Sequence, residues 1–402
     1  MKAAGERLAI VSALPCELYP PTVNLVRTVQ QHPNINLLLI CATGSAVACS
    51  IPRARAATAR FSAGHGCRFV LLRWILLICW HLKAAWLLWR FRPDSIVLIE
   101  PHSVPAVRLA LLLLKSRPRV AVIYYEYNSP ADYLRSGNRS LRCARPLENQ
   151  LLKLAGWISQ TNAERLRLFC CDHRELRQEQ CMVLPNFPPA AWLEIPAVRR
   201  GRQVPAAKQL KLVYVGALSL QDTWIEAVVH WICSDQNVAC SLDVYAPRLD
   251  PETAQFLLSR QGDRLRLHHE GIEYDRLPHV LPQYDVGLIL YRCRTINFVH
   301  NAPNKLFEYL MCGLDVWYPP CMLGVRPFAR SDVVPRVIEV DFDQLNALPA
   351  GMGQSSCAEL PARPWKSTCE DALQPLVQFI IGADSRGNGL NTGCTIAAAM
   401  NA

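Results

Sequence analysis

The 402-residue sequence lacks several patterns that would assign it to a common class of protein. Despite its 17 cysteines, it contains no CxxC pair and no Cys/His grouping with the spacing of a zinc site. It has no P-loop, no G-x-S-x-G nucleophile elbow and no G-x-G-x-x-G fingerprint. These absences argue against a zinc domain, a P-loop nucleotide hydrolase, an α/β-hydrolase and a dinucleotide-dependent oxidoreductase.

Acidic residues are scarce in the first half of the chain. The first 200 residues carry 26 basic and 12 acidic side chains, whereas the remainder carries 17 and 21. The formal net charge of +10 therefore arises in the first half, where no Asp or Glu occurs between Glu17 and Asp94. We expect the two halves to contact different partners. Nucleic acid is not expected among them, because the basic residues alternate with Trp and Leu and form no nucleic-acid-binding motif.

The most apolar segment, residues 69–90, lies within this acid-free stretch. Its longest run without a charge, Trp74–Leu82, is much shorter than the roughly 20 residues that a spanning helix needs. Arg73, Lys83 and Arg90 interrupt the segment, and charges are costly inside a bilayer. We therefore predict that the segment does not span a membrane. Two compatible alternatives remain open: a helix lying in the headgroup plane of an anionic leaflet, and a core helix with basic ends.

The cysteines are interpreted as small buried apolar residues in a reducing compartment, because their number is odd and the chain is large. The first ten residues, MKAAGERLAI, lead into a short apolar strand rather than a long apolar leader with a cleavage site. We therefore expect a cytoplasmic protein, with peripheral contact at the cytoplasmic face of a membrane.

Short apolar strands alternate with helix-like segments in two successive series. This alternation predicts an α/β protein with two doubly wound, Rossmann-like domains. The expected divisions are an N-terminal domain over residues 1–188, a Pro- and Arg-rich linker over 189–209, a C-terminal domain over 210–350, and a C-terminal helix and flexible tail over 351–402. Because ligands of such sheets bind at the carboxyl ends of the strands, we expect the functional site in the cleft between the two domains.

The strongest chemical signal lies in the segment from residue 301 to residue 316. A polar loop enters a helix near Pro303, and the unpaired amides of the first helical turn favour an anion. Lys305 adds a positive charge in the same turn. Glu308 follows one turn later, where a carboxylate can accept hydrogen bonds from two sugar hydroxyls. The helix is expected to end at Gly313, before a short strand.

This segment resembles the nucleotide-sugar site of GT-B glycosyltransferases of the retaining family 4 type. In that family a P-N-K-hydrophobic-x-E-Y run precedes a small-residue–Gly turn and a strand. The resemblance extends over roughly residues 5–345 and implies a GT-B fold. It further implies that the donor substrate is a nucleoside diphosphate sugar and that neither a metal nor a cofactor is required.

The resemblance also implies roles for individual residues of the second domain. Glu308 would bind the ribose hydroxyls of the donor, and Gly216 would let the diphosphate approach the first strand closely. The remaining residues implied in donor binding are Ala217, Asn301, Ala302, Pro303, Asn304 and Lys305.

Three features depart from the family pattern. His300 stands where members often carry a second Glu near the reacting sugar, and Asp315 stands where Pro is frequent in the turn. Residues 221–223 replace an Arg and a Lys that often follow the first strand of the donor domain. Another cation would then neutralise the diphosphate, and the candidates are Lys305, Arg292 and Arg294.

Two loops of the first domain supply further candidates, because each follows a predicted strand. His102 would contact the donor sugar or act as an acid–base group, and Glu126 would bind acceptor hydroxyls or act as a base. The catalytic candidates are therefore His102, Glu126 and His300.

The expected activity is transfer of a sugar from a nucleotide-sugar to a saccharide or lipid-linked acceptor, in polysaccharide or glycoconjugate biosynthesis. Transfer is expected to be metal-independent and to retain the configuration of the sugar. The departures leave one alternative open: a catalytically weak glycosyltransferase-like protein that acts as a partner or scaffold in a polysaccharide assembly complex.

Overall fold

A computed structural model describes residues 5–43, 56–63, 69–135, 139–195, 210–234, 240–345 and 364–383. The chain divides into two compact units. Unit 1 comprises Met1–Pro185 together with Cys369–Ala402, and unit 2 comprises Asn186–Thr368. Each unit contains one parallel β-sheet flanked by helices, so the predicted α/β fold class is confirmed.

Unit 1 contains a seven-stranded parallel sheet in the order β3-β2-β1-β4-β5-β6-β7. Its strands are β1 (Glu6–Ser12), β2 (Ile35–Ala42), β3 (Ala56–Phe61), β4 (Ser95–Ile99), β5 (Arg119–Ile123), β6 (Trp157–Gln160) and β7 (Cys181–Val183). The first six helices are α1 (Pro20–Gln30), α2 (Val70–Phe91), α3 (Val104–Leu113), α4 (Pro130–Arg135), α5 (Arg139–Leu152) and α6 (Ala163–Asp172). The strand order reverses between β1 and β4, which is where ligands of such sheets bind.

Unit 2 contains a six-stranded parallel sheet in the order β10-β9-β8-β11-β12-β13. Its strands are β8 (Leu210–Val215), β9 (Cys240–Tyr245), β10 (Leu265–His268), β11 (Val286–Leu288), β12 (Asp315–Tyr318) and β13 (Val337–Glu339). Its helices are α7 (Ile225–Cys233), α8 (Pro251–Leu258), α9 (Leu277–Val280), α10 (Ile296–Val299) and α11 (Asn304–Met311). The strand order reverses between β8 and β11.

The last described helix, α12 (Cys369–Ile380), packs on the sheet of unit 1. Its side chains Leu373, Leu376 and Val377 join the layer that α1 forms on this face, and Leu8 and Ile10 of β1 point into that layer. The alternate residues of β1 point to the opposite face, which α2 and α3 cover. Both faces of the sheet are thus buried, as a parallel sheet requires.

The unit boundaries differ from the divisions expected from the sequence. Residues 369–383 were assigned to a separate C-terminal segment, but their apolar face completes a layer of unit 1. Part of the expected linker also packs into unit 2, where the Trp192 ring lies 5.0 Å from the Tyr274 ring. The rest of that linker, residues 196–209, lies outside the described residues, as do residues 346–363 and 384–402.

Some local expectations also differ from the structure. β3 was not expected, because its sequence AATARF has little apolar character. The α6 helix is capped by Asn162, whose side chain accepts a hydrogen bond from the Arg165 amide at 2.9 Å. Among the described cysteines, Cys79, Cys143, Cys171 and Cys233 are exposed, so burial does not account for all of them.

The position of α12 predicts that unit 1 depends on it. Leu376 is fully buried, and Leu376→Ala should destabilise unit 1 by about 2–5 kcal/mol through the lost contacts and the resulting cavity. Hydrogen exchange measured by peptide mass spectrometry should show faster exchange in β1 and β4. The exposed Gln374→Ala change on the same helix is the control. Faster exchange confined to α12 would contradict the assignment of this helix to the core of unit 1.

Candidate functional site

The residues implied in donor binding converge at the reversal point of the unit 2 sheet. Gly216 directly follows β8, with a φ of 125° that L side chains rarely adopt. The loop after β11 leads through α10 to α11. Both loops therefore leave the carboxyl ends of neighbouring strands, where ligands of doubly wound sheets bind.

A close contact sets α11 against the sheet. The Tyr309 ring lies over Gly287 in β11, and a Cβ atom at Gly287 would come within 2.2 Å of it. The Tyr309 hydroxyl accepts a hydrogen bond from the Val215 amide at 3.1 Å. This contact fixes α11 beside the end of β8. On another side of α11, Phe307 packs among the rings of Phe187, Phe328 and Trp365.

The amino-terminal end of α11 offers unpaired backbone amides. Within the described part of the chain, the amides of Ala302, Asn304 and Lys305 have no hydrogen-bond acceptor. Gly324 supports the preceding loop from below, since a Cβ atom there would lie 2.5 Å from the His300 carbonyl. The free amides and the helix dipole together form a site for an anion.

Lys305 places a buried ammonium group beside Gly216. The residue is only 7% exposed, and its Nζ atom would lie 3.3 Å from a Cβ atom added at Gly216. Nζ lies 4.1 Å from the centre of the Tyr214 ring and 5.0 Å from that of Tyr291. Among the described residues, no acceptor meets Nζ with the geometry of a hydrogen bond. The nearby Tyr214 hydroxyl donates its own proton to the Ala217 carbonyl at 2.7 Å.

Two effects act on the pKa of the Lys305 ammonium group. Burial lowers it, but the phenol groups of Tyr214, Tyr291 and Tyr309 outweigh burial and raise it above the usual range. The aromatic faces also attract the cation. A buried cation without an ion-pair partner among the described residues lowers the stability of the folded protein, and a bound anion would offset that cost.

Glu308 lies one turn further along α11 and is also buried. Burial raises its pKa to about 7, although the charge of Lys305 opposes the rise. Its carboxyl group accepts no hydrogen bond from any described residue. It is therefore available to a ligand that offers hydroxyl groups.

The structure distinguishes among the cations proposed to neutralise the diphosphate. Lys305 points to Gly216, whereas Arg292 donates a hydrogen bond from Nε to the Thr223 carbonyl at 2.9 Å and lies over the Trp224 ring. Arg294 is exposed. Lys305 is thus the candidate whose charge lies beside Gly216.

Asp315 has a structural role in unit 2. Its carboxylate forms a buried ion pair with Arg336, in which Oδ2 accepts from Nη2 at 2.6 Å and from Nε at 2.9 Å. Its Oδ1 accepts from the Arg336 amide at 2.7 Å. The Asp315 carboxylate therefore joins the start of β12 to the residue that precedes β13.

His300 lies immediately before the anion site. It is the residue that follows α10, and its amide donates to the Ile296 carbonyl at 3.1 Å. The side chain is half-buried. His300 thus lies in the loop that enters α11.

The candidates of unit 1 lie at the carboxyl edge of its own sheet. His102 belongs to the turn after β4, which Ser103 fixes by donating to the Ile99 carbonyl and accepting from the Ala13 amide, both at 2.8 Å. Glu126 follows β5 and is solvent-exposed. The two candidates therefore follow adjacent strands, β4 and β5.

The sequence analysis missed a buried acidic residue in this region. Glu100 is 3% exposed and has a φ of 61°, an unusual conformation for a residue other than glycine. Its Oε1 atom accepts from the amides of Tyr125 and Glu126 at 2.7 and 3.1 Å. Burial and the neighbouring Glu126 raise the pKa of Glu100 to about 8. Partial desolvation also raises the pKa of Glu126, and Arg165 opposes this rise.

Arg165 was likewise missed. It lies on α6 with 1% exposure, and its Nη1 atom donates to the Tyr125 carbonyl and to the Thr161 hydroxyl, both at 2.9 Å. Its positive charge opposes the rise in the pKa of both Glu100 and Glu126. Positive φ and burial are not visible in the sequence, and an Arg on a helix gives no signal of this role.

No family model and no curated protein sequence matches the chain. Solved structures do match over nearly the whole length. A sucrose-phosphate synthase from Thermosynechococcus elongatus has a TM-score of 0.60 at 13% identity, covering 98% of this chain and 100% of that one. The Anabaena protein HepE in complex with UDP has a TM-score of 0.57 at 11% identity, with 98% and 99% covered. A UDP-N-acetylglucosamine 2-epimerase has a TM-score of 0.55 at 11% identity, with 96% and 98% covered.

These similarities show the fold of the chain. The two Rossmann-like units and the near-complete coverage confirm the predicted GT-B fold. Because the same fold occurs in a sugar-phosphate synthase and in an epimerase, the fold alone does not select the reaction.

The burial of the Glu100 carboxyl group in unit 1 can be tested through its effect on stability. The folded protein holds its proton to a pH of about 8, whereas an unfolded chain releases it near 4.5. Wild-type stability should therefore fall, relative to Glu100→Gln, as the pH rises from 5 to about 9. Thermal unfolding across this range measures the difference. The exposed Glu179→Gln is the control, and a pH-independent difference for Glu100→Gln would refute the buried, protonated carboxyl.

Proposed function

We propose that the chain is a glycosyltransferase that moves a sugar from a nucleoside diphosphate sugar to a saccharide or lipid-linked acceptor. The observation that carries the proposal is the buried Lys305 ammonium beside Gly216, at the free amides of α11 and one turn before Glu308. Within the shared GT-B fold, this combination suits a diphosphate joined to a ribose.

Breaking the bond between the sugar and the diphosphate develops negative charge on the leaving phosphate oxygens. The free amides at the start of α11 can donate hydrogen bonds to that charge, and Lys305 adds a full positive charge in a site of low polarity. These groups are in place before the reaction, so little reorganisation is needed as the charge develops. Because Lys305 supplies the charge, we infer transfer that does not require a metal.

Glu308 would accept hydrogen bonds from the two ribose hydroxyls of the donor. The burial that raises its pKa also strengthens such hydrogen bonds, because no solvent competes for the carboxylate. Gly216 and Ala217 would leave room for the diphosphate, since a side chain at Gly216 would meet Lys305. His300, in the loop that enters α11, would contact the donor sugar.

Unit 1 would bind the acceptor. Glu126 is exposed, so it is the group that would accept a proton from an acceptor hydroxyl or bind that hydroxyl. Glu100 would position the Glu126 backbone through its hydrogen bond to the amide. His102, on the neighbouring strand end, would contact the donor sugar. Retention of configuration follows from the resemblance in sequence, and anomeric analysis of the product tests it.

Nucleotide binding is the first test of this function. Among nucleoside diphosphates of different bases, one should raise the melting temperature of the protein, because ligand binding stabilises the folded state. Glu308→Ala should abolish that shift by removing the ribose contact. Glu252→Ala, a change at an exposed Glu of α8 in unit 2, is the control and should keep it.

A sugar nucleotide with the base of the stabilising nucleoside diphosphate then distinguishes sugar transfer from epimerisation. Transfer predicts that the nucleoside diphosphate is released together with a glycosylated acceptor. Conversion of the donor sugar to its epimer, without release of the nucleotide, would contradict transfer and favour the epimerase activity known from the same fold. Nucleotide binding without either reaction would favour the scaffold alternative.

A further inference from the structure

Helix α2 presents an apolar side that nothing in the described part of the chain covers. Six large apolar residues follow one another at intervals of three or four positions, and each is at least 45% exposed. This spacing places them in one line along the helix, over about 27 Å. We call this line the α2 stripe: Leu71, Ile75, Ile78, Leu82, Trp86 and Trp89.

The opposite side of α2 belongs to the core of unit 1. Trp80, Ala84 and Leu88 have no exposed surface and pack with residues of β1, β2 and β4. By length and composition alone the helix is able to cross a membrane, and little of it is buried. A spanning position would remove the three core residues from the sheet. The helix therefore lies flat along unit 1 with the α2 stripe outward.

Basic residues accompany the α2 stripe. Lys83 and Arg90 each directly follow a stripe residue, and both are exposed. The Arg90 guanidinium lies 5.8 Å from the Trp86 ring. No acidic residue occurs in the sequence between Glu17 and Asp94, so no carboxylate from this stretch opposes an anionic partner. Exposed Trp with adjacent Lys and Arg is the composition of a helix that lies in a membrane interface.

We propose that the α2 stripe binds in the plane of an anionic lipid bilayer. The apolar side chains would enter the boundary between headgroups and acyl chains, while Lys83 and Arg90 contact the headgroups. The cytoplasmic leaflet carries such negative charge. Helix α3, which packs beside α2, exposes Leu112 and Leu113 and would enlarge the apolar contact. This inference does not depend on the proposed transferase activity.

Flotation of the purified full-length chain with lipid vesicles tests the proposal. The protein should float with phosphatidylcholine vesicles that contain phosphatidylglycerol, but not with phosphatidylcholine alone. High salt should release it, because it screens the headgroup charge. The double change Leu82→Gln/Trp86→Gln should reduce binding about tenfold or more, and so should Lys83→Gln/Arg90→Gln.

Matched surface changes in unit 2 serve as controls. Leu258→Gln and Arg266→Gln alter exposed residues of unit 2 and should leave flotation unchanged. Unchanged melting temperatures would show that the α2 variants fold. Equal flotation with neutral vesicles, or flotation unaffected by the α2 changes, would overturn the proposal. A third result would also overturn the proposal: the wild type does not bind vesicles and sediments as a dimer, whereas Leu82→Gln/Trp86→Gln sediments as a monomer. The α2 stripe would then face a second copy of the chain.

Discussion

The ammonium group of Lys305 is the constraint on which the candidate donor site depends. It is buried beside Gly216 between two tyrosine rings, without an ion-pair partner among the described residues. Burial of an unpaired cation opposes folding, so its neighbours must hold it in place by packing. Tyr309 against Gly287 provides that packing, because it fixes α11 at the end of β8. The same contact holds α11, whose first turn carries both the free amides and Lys305.

Much of the unit 2 site could be predicted because its residues are close together in sequence. The order Pro303, Asn304, Lys305 and Glu308 places two charged residues and a helix start within two turns. Helical geometry alone therefore brings both charges close to the first-turn amides. The alternation of strands and helices likewise predicts the parallel sheets, since a crossover helix between parallel strands leaves few topologies. Sequence spacing could not show, however, that Arg292 is engaged by the Thr223 carbonyl.

The features that escaped prediction depend on contacts between distant segments. Glu100 meets the amide of Glu126 from the neighbouring strand end, and Arg165 reaches the Tyr125 carbonyl from α6. Asp315 and Arg336 form their ion pair across 21 positions of the chain. The amphipathic pattern of α12 predicts a helix with a buried face, but it does not say which sheet receives that face. In each case the partner, rather than the residue itself, determines the role.

The most direct test of the donor site compares diphosphate with monophosphate. Calorimetry would measure the affinities of the best-bound nucleoside diphosphate and its monophosphate for the wild type, Lys305→Met and the exposed-site control Arg294→Gln. The preference is the ratio of the affinity for the diphosphate to the affinity for the monophosphate. If Lys305 neutralises the terminal phosphate, Lys305→Met should lower this ratio roughly tenfold or more, with the affinity for the monophosphate little changed. Arg294→Gln should keep the preference. An undiminished preference in Lys305→Met would contradict the central role of this buried ammonium group.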